Sequence, residues 1–224
     1  AAAQHPRQTH TGSISLRPSL LGNRQTAQIE GKEVILHQPM EPIATRRVHN
    51  EEGTLTMKMS ADNFNQHFSD ALAAVPYAVG VNNHTGSLLT QHRLPMDRLM
   101  RTIASRGMFF LDSRTTPNTV ALLTAQAWQV PAIERDVFLD HGRTNESMQH
   151  EFNRALAIAR RRGYAVLIAH PYHKSLAFLE QKMAALPPDI VLTTLSSLMA
   201  ARIRPLDQTT LAQHGNPAFP HRSL

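Results

Sequence analysis

The stretch "VGVNNHTGSLL", residues 79–89, begins as an apolar strand and continues with two asparagines and a histidine. Short apolar runs of this kind alternate along the chain with longer amphipathic segments. The alternation predicts an α/β fold with a mainly parallel sheet, because strands covered by helices on both faces are apolar throughout. The predicted strands span residues 14–16, 34–36, 79–81, 108–111, 166–169 and 190–192, with a weaker strand at 132–133.

Four amphipathic segments between these runs predict helices. Ser60 and Thr144 are side chains of the kind that cap helix N-termini, and Gly163 follows the longest helix as a C-terminal glycine. The predicted helices span residues 61–75, 95–106, 145–162 and 173–186.

The two ends of the chain differ from the part between them. Residues 1–13 and 205–224 are polar, contain proline and have no period, which predicts disordered tails around one domain at 14–204. No run of about 18 apolar residues is present to span a bilayer.

The 23 Lys and Arg residues outnumber the 17 Asp and Glu residues, and the net charge of +6 favours anionic surroundings. The densest basic cluster, residues 160–162, complements the dipole at the end of a predicted helix, so nucleic-acid binding is not predicted. The chain has no cysteine, so any metal must be held by His, Asp or Glu.

Ionisable side chains follow five of the apolar segments. In a parallel sheet the carboxyl ends of the strands meet at one edge, where residues far apart in the sequence converge. Three histidines from three strands are a ligand set for one divalent ion, and nearby carboxylates are candidates for acid and base roles. The predicted site residues are His37, His84, His170, Asp112 and Asp136.

Each of these residues also has a purely structural interpretation. Asn82 and Asn83 tolerate left-handed turns, Asp112 can cap the turn after it, and Arg114 can pair with Asp136. The nucleophile motif G-x-S-x-G is absent, so a serine hydrolase has no support.

Five segments, in this order, resemble the successive motifs of the divergent polysaccharide deacetylase family. Together they extend over most of the chain between about residues 14 and 203. They are "EVILHQPMEP" (33–42), "AVGVNNHTGSLLT" (78–90), "GMFFLDSRTT" (107–116), "VPAIERDVFLD" (130–140) and "AHPYHKSL" (169–176).

The resemblance implies an irregular (β/α) barrel of about six or seven mainly parallel strands. It implies hydrolysis of N-acetyl groups on a glycan or cell-wall polymer by a divalent metal, commonly zinc, held by one Asp and two His. His84 and His170 are then the first candidates for metal ligands, and His37 is the next.

The resemblance gives base, acid or orienting roles to Asp112, Asp136 and Arg135. Because the polymer lies outside the cytoplasm, we expect a periplasmic or otherwise exported protein.

The sequence departs from the family pattern at its start. Members of the family usually begin with an apolar strand that ends in an Asp-Asp pair, and no such pair precedes Ile14. An alternative hypothesis is therefore a catalytically degenerate module that binds a glycan or a protein on the same fold. A third is another metal hydrolase on a related barrel.

Overall fold

A computed structural model describes residues 13–16, 32–44 and 50–203 of the chain. The predicted tails, apart from Ser13, lie outside these residues. Seven strands are present in the described part of the chain: β1 Ser13–Leu16, β2 Glu33–Met40, β3 Ala78–Thr85, β4 Phe109–Asp112, β5 Ala132–Glu134, β6 Val137–Phe138 and β7 Leu167–Ile168.

The described α-helices are α1 Ala61–Ala73, α2 Arg93–Ser105, α3 Ala121–Ala127, α4 Asn145–Arg162, α5 His173–Ala184 and α6 Leu195–Ile203. The predicted caps are confirmed, since the hydroxyls of Ser60 and Thr144 accept hydrogen bonds from backbone N–H groups in the first turns of α1 and α4. Gly163 follows α4 with a left-handed φ of 86°. None of the described helices is long and apolar enough to cross a bilayer.

The strands form a five-stranded sheet in the order β1-β2-β3-β4-β5 and a two-stranded sheet of β6 and β7, and every pair is parallel. The predicted α/β class with a parallel sheet is confirmed. Two residues join the sheets: Arg135 donates its N–H to Asp112 O at 2.9 Å, and Asp136 donates to Val166 O at 2.8 Å. The strands therefore follow one another in chain order across both sheets, as in an irregular (β/α) barrel.

Alternate residues of the central strands pack on opposite faces of the sheet, as the strand period of two requires. One face packs against α1, α2 and α3 and carries Leu36, Val81 and Phe110. The other, called here the interior face, carries Ile35 and Phe109 and packs against the last described helix, α6.

The ring of Phe109 fills the space above Gly80 on the interior face. A Cβ atom at residue 80 would lie 2.3 Å from that ring, so only glycine fits there. The same face of β3 continues with Asn82 and His84, because side chains alternate along the strand. The packing therefore places these two polar groups at the carboxyl end of the interior face.

Strands β2 and β3 are longer than predicted. Their parallel pairing continues through His37 opposite Asn82 and Pro39 opposite His84, so these residues lie inside the strands and not after them. The sequence prediction ends β2 and β3 at their last apolar residues. In the structure the backbone pairing continues beyond these residues, where polar side chains of the two strands bond to one another.

The predicted strand at 190–192 is wrong, because these residues make no strand pairing. They follow Pro187 and Pro188, and the side chain of Val191 is 64% exposed. The chain then enters α6, whose Met199 joins the interior cluster. The sequence reading also missed α3, α6 and β6, all of which are short.

Candidate active site

His37 and His84 meet on the interior face of β2 and β3. His37 Nε2 lies 3.0 Å from His84 Nδ1, although the residues are 47 positions apart in the chain. The far nitrogen of each ring has its own partner: His37 Nδ1 lies 2.5 Å from Asn82 Oδ1, and His84 Nε2 lies 3.3 Å from Glu51 Oε1. The pairing of β2 with β3 thus brings together two of the three predicted histidines.

The partners of these rings determine where their protons lie. Asn82 donates from Nδ2 to Leu111 O and to Ser113 Oγ, so its Oδ1 must face His37 and accept. A carboxylate also accepts, so His84 donates from Nε2 to Glu51. In their neutral forms the two rings then direct lone pairs at each other across 3.0 Å. A proton or a metal ion between the nitrogens would relieve the opposition of these lone pairs.

The pair fits part of a metal site. Two nitrogens bound to one tetrahedral zinc at about 2.0–2.1 Å are separated by roughly 3.3 Å, close to the spacing of His37 Nε2 and His84 Nδ1. Hydrogen bonds to the far nitrogens are what fix metal-binding imidazoles in place. Among the described residues no group of three His, Asp or Glu could hold an ion, so these two imidazoles alone supply at most two of the ligands that a zinc site needs.

His170 lies two residues beyond β7 and is held by a buried carboxylate. Asp140 Oδ1 lies 2.8 Å from His170 Nδ1, and Asp140 Oδ2 accepts from His170 N–H and from the Ser175 hydroxyl, each at 2.7 Å. Burial raises the pKa of Asp140, but the hydrogen bonds from His170 and Ser175 lower it more, and the net pKa is below the ordinary 3.8. The side chain of His170 is 43% exposed, so its orientation is fixed while it stays accessible to solvent.

A chain of contacts connects the histidine pair to His170. Ser113, which bonds to Asn82, accepts a hydrogen bond at its carbonyl from Arg135 Nε at 2.7 Å. The guanidinium of Arg135 lies 3.9 Å from the centre of the Phe138 ring, and that ring stacks on His170 with centroids 5.9 Å apart. Arg135 therefore occupies the middle of a continuous path between the two parts of the site.

Asp112 is fully buried and supports a turn. Its two oxygens accept from Arg114 N–H at 2.8 Å and from the Thr119 hydroxyl at 2.9 Å. Burial raises the pKa of this carboxyl, and the hydrogen bonds from Arg114 and Thr119 offset only part of that effect. Asp112 lies two residues after Phe110 in β4, so both side chains are on the helix-packed face of the sheet. The structure therefore does not bring Asp112 to the histidine pair.

Asp136 also makes structural contacts. Its Oδ2 accepts from Val166 N–H at 2.8 Å and pairs with Arg162 at the end of α4. The alternative pairing of Asp136 with Arg114 is wrong, because Arg114 pairs with Glu134 at 3.1 Å.

Three residues in contact with the predicted histidines were not predicted as site residues. Asn82 and Asp140 are polar yet at most 4% exposed, whereas Glu51 comes from the irregular segment between β2 and α1. Asp140 ends an apolar run, "VFLD" at 137–140, with an acidic side chain, and that signal was available. No pattern in the sequence connects Glu51 with His84.

Comparisons with known proteins agree with this fold. Residues 13–199 match the family model described as "Divergent polysaccharide deacetylase". The uncharacterized protein YibQ of Escherichia coli is 39% identical over 173 residues, which are 77% of this chain and 54% of YibQ. The chain thus spans about half the length of that relative.

Two further proteins are similar over most of the chain. An uncharacterized protein of Haemophilus influenzae is 33% identical over 193 residues, or 86% of this chain and 68% of that protein. The crystal structure of an uncharacterized protein of Agrobacterium tumefaciens superposes with a TM-score of 0.75 at 25% identity. That likeness covers 84% of this chain and 77% of the other.

Proposed function

Because the chain belongs to the divergent polysaccharide deacetylase family, we propose that it hydrolyses N-acetyl groups on a glycan with the help of a divalent metal, zinc. The observation that carries the proposal is the approach of His37 Nε2 and His84 Nδ1 to 3.0 Å, with Asn82 and Glu51 on their far nitrogens. The ring tautomers that these partners favour are those of metal ligands.

His37 and His84 would hold the metal on the interior face. When bound, zinc supplies polarisation of the acetyl carbonyl and promotes ionisation of water near neutral pH. Asn82 keeps the His37 ring in the ligand tautomer, and Glu51 does the same for His84.

His170 transfers the proton in this proposal. Its Nδ1 faces Asp140 at 2.8 Å, so Nε2 is the nitrogen that can accept the proton of the attacking water and pass it to the leaving amine. We assign His170 to proton transfer and not to the ligand role implied by the family resemblance, because Asp140 fixes its ring while its side chain is 43% exposed. Asp140 orients the ring.

Arg135 acts as a positioning residue. Its guanidinium donates to the carbonyls of Ser113 and Arg114 and lies against Phe138, which itself stacks on His170. Asp112 and Asp136 then support the loops that carry these groups. Since the glycan polymer lies outside the cytoplasm, we also propose that the protein acts there, in the periplasm or beyond it.

The test is acetate release from a tetramer of N-acetylglucosamine with zinc present. We expect release from the unmodified chain, a loss of at least about 100-fold in His84→Ala, and a loss of about 100-fold or more in His170→Ala. His150→Ala is the matched control, because His150 is an exposed histidine on α4. Equal rates in the control and in His84→Ala would contradict the proposal.

A catalytically degenerate glycan-binding module is the second candidate. Asp112 and Asp136, the two carboxylates predicted to act as acid or base, both accept hydrogen bonds that support the surrounding loops. This use of both carboxylates favours the second candidate. Such a module would bind the same tetramer equally well before and after chelation with EDTA and would release no acetate. The proposed deacetylase would release acetate and lose that activity in EDTA.

A further inference from the structure

Five planar side chains form one stacked row around His170. Phe138 and Tyr172 each stack on the imidazole, with ring centroids 5.9 Å and 5.4 Å from its centroid. A guanidinium lies at each end: Arg135 is 3.9 Å from the Phe138 centroid, and Arg143 is 4.3 Å from the Tyr172 centroid.

Neither terminal cation of this row pairs with a carboxylate in the described part of the chain. Arg143 is exposed and donates to the Tyr172 hydroxyl at 3.0 Å, and Arg135 donates only to backbone carbonyls. Burial and the nearby cations Arg114 and Arg154 lower the pKa of Arg135 more than Asp112 and Asp136 raise it, yet a guanidinium remains protonated at any physiological pH. Arg143 therefore carries a positive charge that its neutral hydrogen-bond partner does not compensate, whereas Asp112 and Asp136 partly offset the charge of Arg135.

Both ends of the row are accessible. Tyr172 is 39% exposed, and Arg143 lies in the surface loop between β6 and α4. At the other end, Arg135 lines an open cleft of about 300 Å³ together with Arg114, Pro117 and Asp136. Asp140, which bonds to His170, is fully buried and does not pair with the exposed guanidinium of Arg143.

We infer that the glycan bound at this site is acidic, with carboxylate groups on sugars next to the N-acetylated one, and that Arg143 binds such a carboxylate. A guanidinium presents a planar pair of donors that matches a carboxylate, and Arg143 already has its plane fixed by the Tyr172 ring. This inference rests on the proposed function, because that function requires a glycan with an N-acetyl group as the substrate.

The test compares two tetrasaccharides by isothermal titration in EDTA, where neither metal binding nor hydrolysis contributes. One alternates N-acetylglucosamine with glucuronic acid, and the other contains N-acetylglucosamine alone. We expect the acidic tetrasaccharide to bind about tenfold more tightly, and we expect Arg143→Gln to remove that preference. A salt concentration of about 1 M should also reduce the preference for the acidic tetrasaccharide, since charges are then screened within about 3 Å.

Arg101→Gln is the matched control, because Arg101 is an exposed arginine on α2. The control should keep the preference for the acidic tetrasaccharide, and thermal unfolding should show all variants folded. Equal affinity for the two tetrasaccharides, or a preference that survives in Arg143→Gln, would overturn the inference. Because no metal or turnover is involved, such a result would leave the acetate-release test of the proposed function unaffected.

Discussion

Asp140→Asn is expected to lower the free energy of unfolding by about 2–3 kcal/mol at neutral pH, as measured by urea unfolding. The substituted amide keeps the size of the carboxyl group but cannot accept all three hydrogen bonds that Asp140 receives from His170 and Ser175. Hydrogen bonds to a buried charged acceptor are among the more costly to lose.

The effect of Asp140→Asn should depend on pH. The pKa of Asp140 is lowered in the folded chain, so its stabilising contribution is fully present above the ordinary pKa of 3.8. That contribution is lost as the pH falls through the folded pKa, when the carboxylate becomes protonated. The difference between the unmodified chain and Asp140→Asn should therefore shrink on going from neutral pH to about pH 3.

Asp62→Asn is the matched control for this measurement. Asp62 lies exposed in the first turn of α1, so its loss should cost no more than about 1 kcal/mol. A difference for Asp140→Asn that is as small as the control at neutral pH, or that stays constant down to about pH 3, would contradict the assignment of Asp140 as a buried, ionised acceptor.

Asn82→Ala is expected to lower the free energy of unfolding by about 2–4 kcal/mol and to weaken zinc binding about 10- to 100-fold. Asn82 is 1% exposed and bonds to His37, Leu111 and Ser113. Its removal leaves buried polar groups without a partner and frees the His37 ring to adopt the other tautomer. Urea unfolding and zinc titration measure the two effects separately.

The next residue provides the matched control. Asn83 is as deeply buried, and it bonds to Ser113 N–H and to Thr85 O on the opposite face of β3. Asn83→Ala should also destabilise the fold, but it should leave zinc affinity within about threefold of that of the unmodified chain. If both substitutions weakened zinc binding equally, the effect would be general destabilisation and not orientation of His37.

Much of the fold follows from local patterns in the sequence. Ser60, Thr144 and Gly163 mark helix ends through side-chain caps and a left-handed residue, and these depend only on neighbouring residues. The prediction of a strand at 190–192 is wrong because these residues are apolar like a buried strand, yet no neighbouring strand pairs with them. Strand pairing is a long-range property that an apolar run alone does not specify.

Some residues of the candidate site could likewise be predicted from the sequence, and others could not. His37 and His84 were predicted together, because residues near the carboxyl ends of parallel strands share one edge. Asp112 was assigned to the same site, yet strand alternation directs it to the other face, and one residue of register decides that outcome. The contact between Glu51 and His84 depends on the path of an irregular loop, which has no periodic signal.

Zinc titration of the chain and of His37→Ala, His84→Ala and the double variant tests the central claim most directly. If His37 and His84 hold one ion, the unmodified chain should bind one zinc, each single substitution should remove most of the affinity, and the double variant should lose little more. His150→Ala should bind like the unmodified chain. Zinc binding of unchanged affinity in the double variant would contradict the account.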